Sequence, residues 1–160
     1  MFEFLLTVHI VAGFICLVSG LFAMFSRKRN GVHTVSGEVY HGAFVLIFLT
    51  SVVMAVMHWE SSAYLFFIGI FSYSFALVGY VAGKRKKKGW IIRHIGGMLG
   101  SYIAVVTAVI VVNVHKVPFL NELPVLLFWF LPTIIGTPII RMVGKKYAPK
   151  PRRTNSDRAV

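Results

Sequence analysis

Val81-Ala-Gly-Lys84-Arg85-Lys86-Lys87-Lys88-Gly-Trp90 is the stretch that decides the fold. Five consecutive cations stand between two long apolar runs, 63–83 and 91–114. Runs of that length match the hydrocarbon thickness of a bilayer, and a basic loop between two of them marks the cytoplasmic side. The remaining cations obey the same division. Arg27, Lys28 and Arg29 follow the first apolar run, and Arg93 opens the fourth. Arg141, Lys145, Lys146, Lys150, Arg152, Arg153 and Arg158 follow the fifth. Lys116 alone falls on the other side, so sixteen of the seventeen Lys and Arg residues share one face. Five spans satisfy this alternation and four do not.

The expected fold is therefore all-α: an integral membrane helical bundle of five transmembrane helices, with the N-terminus outside and the C-terminus cytoplasmic. The spans read as 2–25, 37–58, 63–83, 91–114 and 124–143. The first holds 24 residues, about 36 Å at helical rise. It reads as a retained span and not a signal peptide, because Glu3 is the one charge before Arg27 and no small-x-small cleavage site follows. Asn30-Gly31 signals a turn in the first inner connection, and Trp59 to Ser62 reads as a tight outer turn. Pro132 and Pro138 should kink the fifth span. Residues 144–160 read as a basic, disordered cytoplasmic tail.

Composition agrees. The 160 residues are 57% hydrophobic and 14% charged, with a mean hydropathy of +0.76, whereas soluble domains carry about a quarter charged residues. A net charge of +12 often signals nucleic acid, but these cations cluster at helix ends and not on the face of a soluble domain. The expected partners are the lipid bilayer and anionic lipids at its cytoplasmic face, with no nucleic acid. The expected location is the bacterial cytoplasmic membrane. Cys16 is the single cysteine, which excludes an internal disulfide.

Histidine supplies the recurring chemical signal. Ionisable side chains within a membrane are costly, so each is a functional candidate. His41 and His94 lie about one turn inside the basic boundary of the second and fourth spans, and His58 and His115 at the opposite ends of the same spans. His9 lies in the first span. Helices that carry an inner and an outer histidine can hold a planar cofactor, and neutral imidazole is a good axial ligand for haem iron. The candidate cofactor-binding set is therefore His41, His94, His9, His58 and His115, with His41 and His94 as inner ligands of a haem b. On the fourth span His94, Ser101, Ala108 and His115 recur at heptad spacing, which predicts one seam. The competing reading is structural: end histidines meet water and head groups, and His9 bonds to a neighbouring helix. His33 reads as a loop or capping residue.

Two further patterns bear on packing. His9-Gly13-Cys16-Gly20, with Ala12, Ser19 and Ala23, forms a small-residue face, and Gly96, Gly97 and Gly100 form another. Such faces let helix backbones approach closely. A faint internal repeat also shows, in which a span and a basic loop lead to His33-x3-Gly37-x2-Tyr40 and then to His94-x-Gly96-Gly97-x2-Gly100-x-Tyr102. No catalytic constellation emerges. Glu38, Glu60 and Glu122 are separated by the topology, and no Ser-His-Asp set is suggested.

His9-Ile-Val-Ala-Gly13, His33-Thr-Val-Ser-Gly37-Glu-Val-Tyr40 and Arg93-His94 with Tyr102 resemble an uncharacterised family of predicted bacterial multi-pass membrane proteins, over about residues 6 to 112. The chain departs from that pattern at Thr34 and Ile95, where the family carries a second basic residue. The layout is also similar in outline to bis-histidine membrane cytochromes b, a likeness of arrangement alone. Two functions follow as expectations: a b-type haem electron-transfer protein, or a non-enzymatic membrane protein, a small permease or accessory subunit, with structural histidines.

The charge division predicts topology directly. A reporter fused after Val160 should be active only in the cytoplasm, and a cysteine at Asn121 should react with an impermeant thiol reagent on intact cells. Labelling of that cysteine only after lysis would overturn the five-span reading.

Overall fold

The computed structural model describes residues 1–28, 31–120 and 122–148. Among them the chain is all-α, with five long helices: α1 (Phe2–Phe25), α2 (Val32–Met57), α3 (Trp59–Arg85), α4 (Trp90–Asn113) and α5 (Val125–Tyr147). A short 3-10 turn, Val114–Lys116, extends α4. All five helices are long and apolar enough to cross a membrane. Their outer faces are as apolar as their interiors: Phe4, Phe14, Phe67, Ile134 and Met142 are each more than half exposed. That pattern suits helices whose surroundings are hydrocarbon.

Several boundaries differ from the sequence reading. The second helix begins at Val32, not 37, so His33 is helical. The outer turn expected over Trp59 to Ser62 is instead the first turn of α3. His58 alone makes the reversal, and its carbonyl accepts from the N–H groups of Ser61 and Ser62. α5 continues through Pro132 and Pro138 to Tyr147. The predicted disordered tail falls mostly at 149–160, and half of the Asn30-Gly31 turn at Asn30, both outside the described residues.

α1 packs on α2, α2 on α3 and α3 on α4, while α1 meets α4 narrowly, so the first four helices form a ring. α5 lies along α4 outside that ring. Small residues set the spacing. The buried face of α1 is Ala12, Cys16, Ser19, Gly20 and Ala23. Gly20 makes room for the Tyr102 ring, which a Cβ would meet at 2.5 Å. Gly79 and Gly97 bring the backbones of α3 and α4 together; a Cβ on Gly97 would lie 2.5 Å from the Gly79 backbone. α5 buries Phe128, Gly136 and Gly144, a stripe recurring every eight residues.

The basic turns are closed by local chemistry. Lys28 Nζ donates to the carbonyls of Ala23 (2.7 Å) and Met24 (2.6 Å), satisfying the last carbonyls of α1 with a cation at the negative end of its dipole. Partial burial draws the Lys28 ammonium below its ordinary pKa. Lys86 ends α3 in the left-handed region (φ 46°), and Gly89 opens α4 there (φ 73°).

The Gly79–Gly97 contact yields a test. Gly97→Leu forces side-chain atoms into backbone and should destabilise the protein by about 1–3 kcal/mol or more. Gly96→Ala, where a Cβ meets open space, should leave the SDS-unfolding midpoint unchanged or slightly raised. Equal effects of the two would place the close approach elsewhere.

Candidate functional site

The polar side chains of the bundle fall into distinct clusters. At the basic end His33 Nδ1 lies 2.9 Å from the Ala23 carbonyl, and His94 Nδ1 lies 2.8 Å from the Gly79 carbonyl. A carbonyl only accepts, so each Nδ1 carries the proton, and in the neutral ring Nε2 keeps its lone pair. Gly83 admits the His94 ring, since a Cβ there would come within 2.7 Å of Nδ1. The two imidazoles face each other edge to face, centroids 6.2 Å apart. The structure thus brings His94 to His33, whose sequence position reads as a loop or capping residue and which sits in the first turn of α2, bonded to a carbonyl in the last turn of α1.

His41 goes elsewhere. Its ring lies flat on Tyr80, with centroids 3.9 Å apart and planes at 4°, and it also neighbours Tyr73. Tyr80 Oη donates to Glu38 Oε2 (2.7 Å), whose other oxygen pairs with Lys84 Nζ (2.6 Å). This cluster joins α2 to α3. His41 Nδ1 is buried with no hydrogen-bond partner among the described residues. Nothing in the sequence joins Glu38 to Tyr80 and Lys84, which lie one turn apart on another helix more than forty positions away.

The centre of the bundle is closed. Tyr40 is 2% exposed, Cys16 and Ser101 0%. Tyr40 Oη and Ser101 Oγ are 2.8 Å apart, and Ser101 Oγ also donates to the Met98 carbonyl at 2.9 Å. Ser101 has one proton; with that proton on Met98, Tyr40 is the donor between them. Tyr102 Oη donates to the Leu17 carbonyl at 3.2 Å. Tyr40 and Tyr102 neighbour each other at 6.3 Å between centroids.

At the opposite end the histidines disperse. His9 Nδ1 lies 2.9 Å from Thr50 Oγ1, which itself donates to the Leu46 carbonyl at 2.7 Å. The histidine is therefore the donor, again through Nδ1. His58 is exposed and packs against the edge of Phe2. His115 sits exposed in the 3-10 turn. The heptad seam predicted for His94, Ser101, Ala108 and His115 holds through the buried Ser101 and then fails, because Ala108 is exposed. A straight helix drifts about 20° per heptad, and the tightened turn after Asn113 adds to that drift. Among the described residues no group of three or more His, Cys, Asp or Glu side chains is placed to hold a metal ion.

The internal repeat acquires meaning in three dimensions. Each copy is a helical hairpin in which the histidine donates to a carbonyl near the end of its own first helix. Packed together, the hairpins set His33 beside His94 and Tyr40 beside Tyr102. The relation is approximate, since α2 packs on α3 more extensively than α1 on α4.

A double-mutant cycle on Tyr40→Phe and Ser101→Ala, read by SDS unfolding, should give a coupling of about 0.6 to 1.7 kcal/mol, the range for hydrogen bonds between helices in membranes. Additive effects would show that the pair is not coupled. The chain matches no family model, no curated protein and no solved structure, so the assignment rests on its own residues.

Proposed function

We propose that this chain is a non-enzymatic multi-pass protein of the bacterial cytoplasmic membrane, with its N-terminus outside, whose histidines hold helices together. Within that class an accessory subunit fits better than a permease. The observation that carries this reading is the closed centre, where Tyr40, Ser101 and Cys16 from three helices are packed with almost no exposed surface and leave no open passage between them. His9, His33 and His94 each spend a ring N–H on a partner inside the bundle. Such bonds remove donors that hydrocarbon leaves unsatisfied. The sidedness rests on the cation distribution.

One observation favours a second reading, a b-type haem protein. Iron-ligating histidines commonly donate their other N–H to a backbone carbonyl, as His33 and His94 do. A haem held at the basic end would then use His94 with His33, and His41, flat against Tyr80, would not be its partner. The bound group would supply one-electron redox chemistry, and the two imidazoles and their carbonyls would orient it.

The visible spectrum of protein purified in mild detergent from haem-replete cells separates the two. The structural reading expects no Soret band, no uptake of added haem, and a His94→Ala variant destabilised by about 1 kcal/mol. A reducible b-type spectrum that disappears in both His33→Ala and His94→Ala would overturn it in favour of haem.

A further inference from the structure

A groove opens on the outer side of the α3–α4 hairpin at its basic end, and its two ends differ in chemistry. Leu77, Val78, Val81 and Ala82, on one face of α3, line the end away from the basic loop. The end beside the basic loop is lined by Arg85, Lys87, Trp90 and Arg93. From Leu77 to Arg85 the helix rises about 12 Å, so the apolar wall lies along the helix just beneath the cationic mouth. An indole prefers the boundary between hydrocarbon and head groups, and Trp90 lies at the cationic end, with Lys86 Nζ over its ring at 5.8 Å.

The cations at the mouth are free to act. The one ion pair among the described residues joins Lys84 to Glu38 on the α2 side, which leaves Arg85 and Lys87 without a carboxylate. Arg93 bonds through Nη2 to the Lys88 carbonyl, which fixes the guanidinium and leaves its other N–H groups available. The left-handed residues Lys86 and Gly89 confine the chain between them to a tight reversal that returns Lys87 to the groove. A second groove, lined by Phe14, Val18 and Val39 between α1 and α2, carries no charged residue. Charge and apolar length therefore coincide in the first groove and not in the second.

We propose that the α3–α4 groove binds one anionic glycerophospholipid, its phosphate held among Arg85, Lys87 and Arg93 and an acyl chain laid along α3. The assignment rests on the membrane-spanning reading and goes beyond diffuse attraction of a basic surface to acidic lipid, because it requires the apolar wall as well as the charges. Basic pockets between helices at the cytoplasmic side are recognised head-group sites, and guanidinium groups match phosphate oxygens in pairs.

The test uses the full chain with Trp59 and Trp129 replaced by Phe, so that Trp90 is the one indole, reconstituted in phosphatidylcholine nanodiscs. A minor fraction of phosphatidylglycerol with brominated acyl chains should quench Trp90 more than the same fraction of brominated phosphatidylcholine, with about a tenfold difference in apparent affinity. R85Q/K87Q/R93Q should abolish the difference, and K145Q/K146Q should keep it. Ala82→Phe, which fills the apolar wall without changing charge, should also abolish it, and this variant decides the matter should the triple variant fail to fold. Equal quenching by the two lipids, or a preference retained in Ala82→Phe, would overturn the groove. Failure of the protein to enter nanodiscs would instead overturn the membrane reading.

Discussion

Hydrocarbon offers a polar group no partner, and this governs nearly every side-chain placement in the bundle. The backbone meets the constraint by forming five long helices. The hydroxyls meet it within their own helix: Ser19 donates to Ile15, Thr50 to Leu46, Ser51 to Phe48, Ser74 to Phe71 and Thr107 to Ile103. Groups with more capacity than one helix can absorb reach across to another. Tyr40, Tyr102, His9, His33 and His94 do so, and they mark where helices are held in register. His41 is the exception: its Nδ1 lacks a partner among the described residues, and the ring is held by stacking on Tyr80.

Close approach and polar pairing depend on each other here. Gly79 and Gly97 draw α3 and α4 together, and the Gly79 carbonyl thereby lies within reach of His94. Gly20 likewise admits Tyr102 toward the Leu17 carbonyl. Glycine in a helix costs about 1 kcal/mol against alanine in water. At these positions the absent Cβ is what permits the bond. Where no neighbour approaches, as at Gly13, Gly37, Gly42 and Gly96, packing gives no comparable reason for glycine.

The helices could be read from sequence because uncharged runs bounded by cations carry a one-dimensional signal. The small-residue face of α1 was legible for the same reason: Ala12, Cys16, Ser19, Gly20 and Ala23 are all buried on it, while Gly13 of the same pattern meets open space. Partners were less legible. His94 could be placed near the basic boundary, but whether it faces His41 or His33 depends on the rotation of α2 and α4 about their axes, which the spacing of ionisable residues does not fix. The repeat held a usable clue. Two copies of a motif in two similar hairpins are apt to meet, and pairing His33 with His94 and Tyr40 with Tyr102 would have followed from it. The error at Trp59 to Ser62 has a different origin: polar residues in the first turn of a helix look the same as polar residues in a loop.

The bonds divide cleanly into those within a hairpin and those between hairpins. His9 to Thr50, His33 to Ala23 and Lys28 to the end of α1 are all internal to the first hairpin, and His94 to Gly79 is internal to the second. Each hairpin therefore pairs these costly groups within itself, independently of its contact with the other. Tyr40 to Ser101, Tyr102 to Leu17 and Glu38 to Tyr80 and Lys84 form only when the units meet. Pairing within a hairpin and pairing between hairpins thus draw on different residues.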